Sequence, residues 1–188
     1  MHEQQDSLML FYNFKPQQAI ASIGAQCANW EAMMAGYTDG AHFYLEDIDT
    51  TYFKEAQTRF AWDYYGNLNG RPLSSSYELI VGNEKETKLP DASCDKIFII
   101  NSFHEFSFKK EMLADISKKL KPGGLLYMDE IIAKYPGQRH SGCKKELFTE
   151  SELISFCGAN NFEYAAGMYV TYRASVPYRK IYVFRKKL

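Results

Sequence analysis

The sequence predicts an α/β fold in which a mostly parallel sheet is covered by helices. Three observations carry this reading. Apolar runs of strand length alternate with segments of helical period from Ala19 onward. One run, DKIFIIN (Asp95–Asn101), is apolar almost throughout, as a strand buried on both faces must be. The chain then closes on two strand-like segments with no helix between them.

Taken in order, Gln4–Phe11 predicts one or two turns of helix within a short N-terminal segment, residues 1–18. Ala19–Gly24 predicts the first strand. Cys27–Gly36 predicts a helix with Trp30, Met33 and Met34 on one face. Ala41–Asp47 reads as the second strand. Asp49 is placed to cap a helix running through Tyr52, Phe53 and Ala56 towards Trp62. Gly66–Ser76 is turn-rich and predicts a loop, followed by a third strand at Tyr77–Val81 and a polar loop over Asn83–Ser93. Asp95–Asn101 is the fourth strand. Helix Phe108–Leu120 carries Met112, Leu113 and Ile116 at helical spacing, and Lys-Pro-Gly-Gly stops it. Leu125–Ile132 is the fifth strand. Thr149 to Glu152 has the spacing of a capping box and starts a helix that ends near Asn160. Phe162–Val170 and Lys180–Arg185 pair as a closing hairpin.

Composition narrows the function classes. A chain of 188 residues, 46% hydrophobic and 24% charged, can bury one real core, and 1–188 reads as one domain. The formal charge of −1 provides no electrostatic footprint for nucleic acid or an anionic lipid surface. Arg185-Lys186-Lys187 reads as a short solvated tail. The opening residues lack a signal-peptide pattern, and no run reaches the roughly 18 apolar residues of a membrane span. Cys27, Cys94, Cys143 and Cys157 form no C-x-x-C pair, so neither a metal site nor a disulfide framework is expected, and reduced thiols fit a cytoplasmic protein. The aromatic share of 15% is high, and it points to core packing before a ligand surface.

Several segments in this order resemble the class I S-adenosylmethionine-dependent methyltransferases, in the branch of small stand-alone domains. They are FKPQQAIASIG with YLEDID, then LPDASCDKIFIINSFHEF, LKPGGLLYMDE and FTESELISFCGANNFE, and together they span most of the chain. The resemblance implies a Rossmann-like three-layer sandwich. Its sheet has seven strands in order 3-2-1-4-5-7-6, mostly parallel with the last antiparallel. It also implies S-adenosylmethionine as cofactor and a small-molecule acceptor. A homo-oligomer is compatible with it. No G-x-G-x-x-G is present, which removes a nicotinamide dehydrogenase on the same fold class.

The resemblance assigns site residues as follows. Gly24 makes the turn after the first strand, with Ser22 and Gln26 on either side of it facing the cofactor. Asp47, as an exposed strand-end carboxylate, accepts from both ribose hydroxyls, whereas Glu46 points to the opposite side of the strand, and Ile48 forms an apolar wall for adenine. Asn83 stands where the family places an acid that meets the adenine amino group. Asn101 ends the fourth strand at the ligand edge of the sheet. His104 and Glu105, in NSFHEF, face the acceptor, with His104 as a base where the acceptor must lose a proton. The alternative is that His104 packs under the following helix and Glu105 is solvated near that helix's positive end.

The sequence departs from the family in three places. Ser22 stands where the motif has an acid, which loses a charge-assisted bond. Gln26 and Ala28 stand where glycines would let the cofactor approach. The front end is short. These departures favour a second reading, a non-catalytic methyltransferase-fold protein serving as a binding or assembly module.

Overall fold

A computed structural model of the protein describes residues 2–170 and 179–187. Thirteen elements follow one another in the order helix α1 (His2–Tyr12), β1 (Ala19–Ile23), α2 (Asn29–Ala35), β2 (His42–Asp47), α3 (Glu55–Leu68), β3 (Ser76–Val81), β4 (Cys94–Ile100), a 3-10 turn (Phe103–Glu105), α4 (Lys109–Lys119), β5 (Leu120–Ile131), α5 (Glu150–Ala159), β6 (Phe162–Val170) and β7 (Arg179–Lys186). The strands form one sheet in the order β3-β2-β1-β4-β5-β7-β6, as the resemblance implies. β1 to β5 pair in parallel, and β7 runs antiparallel to both of its neighbours. The segment joining β6 to β7, where the closing hairpin would turn, lies outside the described residues.

Alternation along the central strands makes three layers. Ile20, Phe43 and Phe98 face one side and pack with Leu8, Met34 and Trp62 from α1, α2 and α3. Ala21, Ile97 and Ile99 face the other and pack with Leu113, Ile116 and Leu153 from α4 and α5. Much of the aromatic content lies in these layers: Tyr12, Phe98 and Tyr127 form one cluster and Phe103, Phe148 and Phe156 another.

Several boundaries differ from the sequence expectation. α3 starts at Glu55, because the Asp49 carboxylate accepts from the Thr51 N–H and closes a separate turn instead of capping the helix. α3 then continues through Gly66 to Leu68, into the segment expected to be loop. Lys-Pro-Gly-Gly falls within β5, but Cys94 pairs with Leu120 and Lys96 with Leu125, so those four residues bulge out of the ladder. Arg185 and Lys186 belong to β7 and are not a free tail. The capping box at α5 forms as expected: Thr149 Oγ1 accepts from Glu152 N while Glu152 Oε2 accepts from Thr149 N.

α1 extends over eleven residues, longer than expected. The Lys96 ammonium, near the start of β4, donates to the carbonyls of Tyr12 and Asn13 at 2.5 and 2.6 Å. That contact ties the helix's negative end to the amino edge of the sheet, away from the strand ends that follow. No helix of the described residues is long and apolar enough to cross a membrane.

Candidate functional site

Parallel strands of one sheet present their carboxyl ends along one edge, and here β1, β2 and β4 open there onto a cavity of about 310 Å³. That volume is at the lower end for small-ligand sites. Gly24 and Gln26 after β1, Asp47 and Ile48 at the end of β2, Asn83 after β3, and Glu105 after β4 all line it. Of the remaining expected residues, Ser22, Asn101 and His104 do not form part of the wall.

The turn after β1 keeps a glycine-motif backbone with only the first of its glycines. Gly24, Gln26 and Ala28 all have positive φ, at 80°, 48° and 57°. Gly24 is required twice over, because an added Cβ would also stand 2.9 Å from Ser102 Oγ. At Gln26 and Ala28 an L side chain is held in a region that disfavours it by roughly 1–2 kcal/mol. Gln26 is exposed, so Gln26→Gly should stabilise the protein by about 0.5–1 kcal/mol after the greater unfolded-state freedom of glycine is subtracted. Ala28 is fully buried, and losing its methyl group offsets a similar gain there. Thermal melts of the two variants check this difference.

Asp47 is buried, not exposed as expected. Its Oδ2 accepts from Gln26 N and its Oδ1 from Asp49 N, both at 2.8 Å. One carboxylate therefore joins the β1 turn to the β2 turn. Each oxygen keeps a further lone pair that can face the cavity.

Ser22 is also redirected. It is buried and donates to the Glu31 carboxyl of α2 at 2.5 Å. Burial is the main cause that raises Glu31 to a pKa of about 7, with the Ser22 hydrogen bond opposing it and Asp47 adding to it. An acid thus stands beside position 22 after all, supplied by the helix.

Glu46 is the lining residue that sequence reasoning set aside. It points to the opposite face of β2 from Asp47, yet at the strand end both reach the cavity wall. Its Oε1 is buried without a hydrogen-bond partner, and a Cβ at Gly82 would collide with it. Burial first, then the neighbouring Asp47 charge, push its pKa to about 8. Both glutamates are raised above the unfolded value near 4.5, so the folded state holds protons that the unfolded state has lost. Their contribution to stability is full below about pH 4.5 and is lost as pH rises through about 7 and 8. Each costs about 1.4 kcal/mol per pH unit inside its window. Glu46→Gln should therefore lose less stability than the parent between pH 6 and 8, by about 2–3 kcal/mol. Parallel pH profiles in urea unfolding would contradict it.

Ile48 is 53% exposed and lines the cavity together with exposed Tyr52, so one apolar side is open to a ligand. The Asn83 side chain is spent on its own turn: Oδ1 accepts from the N–H groups of Lys85 and Glu86, and Nδ2 donates to Glu86. An adenine amino group would have to compete with those donors, whereas the Glu84 carboxylate next to it also lines the cavity. Asn101, in the left-handed region at φ 53°, turns the chain out of β4, and its Oδ1 is buried and unpartnered. Ser102 takes its place on the wall.

His104 and Glu105 separate. Glu105 is exposed on the wall, while the His104 side chain is 2% exposed and lies behind it. Its Nδ1 meets Glu130 Oε2 at 2.9 Å, and the other Glu130 oxygen accepts from Phe103 N at 2.6 Å. Burial raises the Glu130 carboxyl, and the His104 hydrogen bond and charge pull it down. The His104 ring also stacks edge-on with His140, 4.9 Å between centroids. The expectation of no metal site rested on cysteine spacing, which does not register His140-Ser-Gly-Cys143.

A family profile described as a methyltransferase domain matches residues 24–128, more than half of the chain. Solved structures similar to this chain include the following three. An S-adenosylmethionine-dependent methyltransferase of Methanosarcina mazei has a TM-score of 0.73 at 16% identity, covering 95% of this chain and 97% of that one. A Burkholderia thailandensis 1,6-didemethyltoxoflavin-N1-methyltransferase, with bound 1,6-didemethyltoxoflavin and S-adenosylhomocysteine, has 0.73 at 16%, covering 97% and 76%. A Geobacter sulfurreducens S-adenosylmethionine-dependent methyltransferase in complex with S-adenosylhomocysteine has 0.71 at 10%, covering 100% and 92%. None of the curated proteins matches the sequence.

Proposed function

Because this chain belongs to the methyltransferase-domain family of class I S-adenosylmethionine-dependent enzymes, we propose that its strand-end cavity binds S-adenosylmethionine for methyl transfer to a small-molecule acceptor. The observation that carries the reading is the charge of the wall. Asp47, Asp49, Glu84 and Glu105 line it together with Glu46, whose raised pKa of about 8 leaves it largely uncharged at neutral pH, and no Lys or Arg lines it among the described residues. Phosphate-bearing cofactors are repelled by such a wall, whereas a sulfonium with an ammonium group is attracted.

The residues present fit that cofactor. Asp47 keeps lone pairs for the ribose hydroxyls, Ile48 and Tyr52 offer an apolar side to adenine, and the orphan Glu46 oxygen can accept a hydrogen bond. When bound, S-adenosylmethionine supplies a methyl group on a positively charged sulfur. The protein's work is to hold an acceptor in line with that carbon and to exclude water. Glu105, on the wall, can take the acceptor's proton where one must leave, and His104 stands behind it as a positioning group. The Burkholderia neighbour holds a small molecule beside its S-adenosylhomocysteine, which supports a small acceptor here.

Gln26 supports the second reading, a binding module without catalysis, because its side chain stands on the wall where the family has glycine. Calorimetry separates the two. S-adenosylmethionine should bind several-fold more tightly than neutral S-adenosylhomocysteine, and the difference should shrink as salt rises. Absence of binding by either ligand would remove the cofactor reading and leave the binding module.

A further inference from the structure

We propose that His104, His140 and Cys143 form a zinc site behind the cavity wall. One nitrogen from each histidine and the cysteine sulfur lie within 4.8 Å of one another. Tetrahedral ligands at zinc, with Zn–N about 2.0–2.1 Å and Zn–S about 2.3 Å, stand about 3.3–3.6 Å apart, so a small closure of the loop completes the set.

The His104 ring is the strongest indication. Its Nε2 is buried and has no hydrogen-bond partner, although the ring's other nitrogen is bonded to Glu130. A buried ring nitrogen left alone is costly, and a metal ion satisfies it. The Glu130 contact also has the form used to orient metal-binding histidines, with a carboxylate on Nδ1 leaving the Nε2 lone pair free. The contact of His140 Nδ1 with Cys143 Sγ at 3.2 Å accounts for those two residues alone, and not for His104.

The loop that brings the other two ligands is built to hold them. His140 N donates to Lys145 O, Lys144 N to His140 O, and Leu147 N to Gln138 O, while Arg139 and Glu146 form an antiparallel bridge. The short turn sets His140 and Cys143 side by side. Two imidazoles and a thiolate suit zinc rather than magnesium or calcium, which prefer oxygen. Three protein ligands leave a fourth position. It would lie near Glu105, whose Oε1 is 3.7 Å from His104 Nε2 and which also lines the cavity.

The test uses the full chain without a histidine tag, stripped with a chelator and titrated with Zn²⁺ and separately with Co²⁺. One equivalent of Zn²⁺ should bind and raise the melting temperature. Co²⁺ should give a tetrahedral spectrum with a thiolate charge-transfer band. Cys143→Ser should abolish that band, and His140→Ala should weaken zinc binding by more than the 10–100-fold typical of an outer-partner loss such as Glu130→Gln. Cys143 is exposed and His140 half-buried in a loop, so both metal-free variants should melt like the parent. Zinc bound equally by parent and Cys143→Ser, or no stoichiometric binding at all, would overturn the site.

Discussion

Asp47→Ala is expected to lower stability and ligand affinity together. The carboxylate accepts from two backbone N–H groups, Gln26 and Asp49, at the points where β1 and β2 release their turns. Removing it leaves both donors without their charged partner, and hydrogen bonds to charged groups contribute about 1.5–3 kcal/mol each. Partial hydration of the turns brings the expected loss to about 2–4 kcal/mol. The expectation from sequence was a small loss, since strand-end carboxylates are normally exposed; burial of Asp47 reverses it. Binding should suffer separately, by about 2 kcal/mol or roughly 30-fold, from the unpaired ribose hydroxyls. Urea unfolding reads the first effect, and calorimetry with S-adenosylmethionine at low temperature, where the variant stays folded, reads the second. A variant that unfolds early but binds with full affinity would take Asp47 out of the ligand site and leave it as a clamp between two turns.

What could be read from sequence divides along a physical line. The buried strands and the α5 cap were legible because they depend on residues close in the chain: an unbroken apolar run in β4, and Thr149 with Glu152 three residues on. The strand order came from the family resemblance alone. The start of α3 was not, because Asp49 can close a turn or cap a helix and its local sequence suits both. At the site, Gly24 and Asp47 come together on the cavity wall, since strand ends follow from strand register. The partners were hidden. Ser22 with Glu31, Glu130 with His104, and His104 with His140 meet across elements, and nothing in the local spacing of either partner reports the other. Glu46 was set aside by the rule of alternating strand faces, which holds within a sheet but loses force at its end.

Ser22→Asp, the substitution that would restore the family's acid, is expected to destabilise this protein. Position 22 and Glu31 are both almost fully buried, and Ser22 donates to the Glu31 carboxyl at 2.5 Å. A second carboxyl there removes the donor and sets two acids in contact, which at best share one proton. Burial already raises Glu31 to a pKa of about 7 with no cation among its causes, so among the described residues the pair's remaining charge is left uncompensated. The cost should reach about 3–5 kcal/mol at pH 8, the range for an uncompensated buried charge, and should shrink towards pH 5 as both carboxyls hold protons. The double variant Ser22→Asp with Glu31→Gln should recover most of the loss, because the amide can donate to the new carboxylate. A double-mutant cycle in urea, run at both pH values, measures that coupling. If Ser22→Asp alone is as stable as the parent at pH 8, the site tolerates two acids and Glu31 does not stand in for the missing one. If the predicted coupling appears, the acid has moved from strand to helix while the turn it serves has kept its backbone.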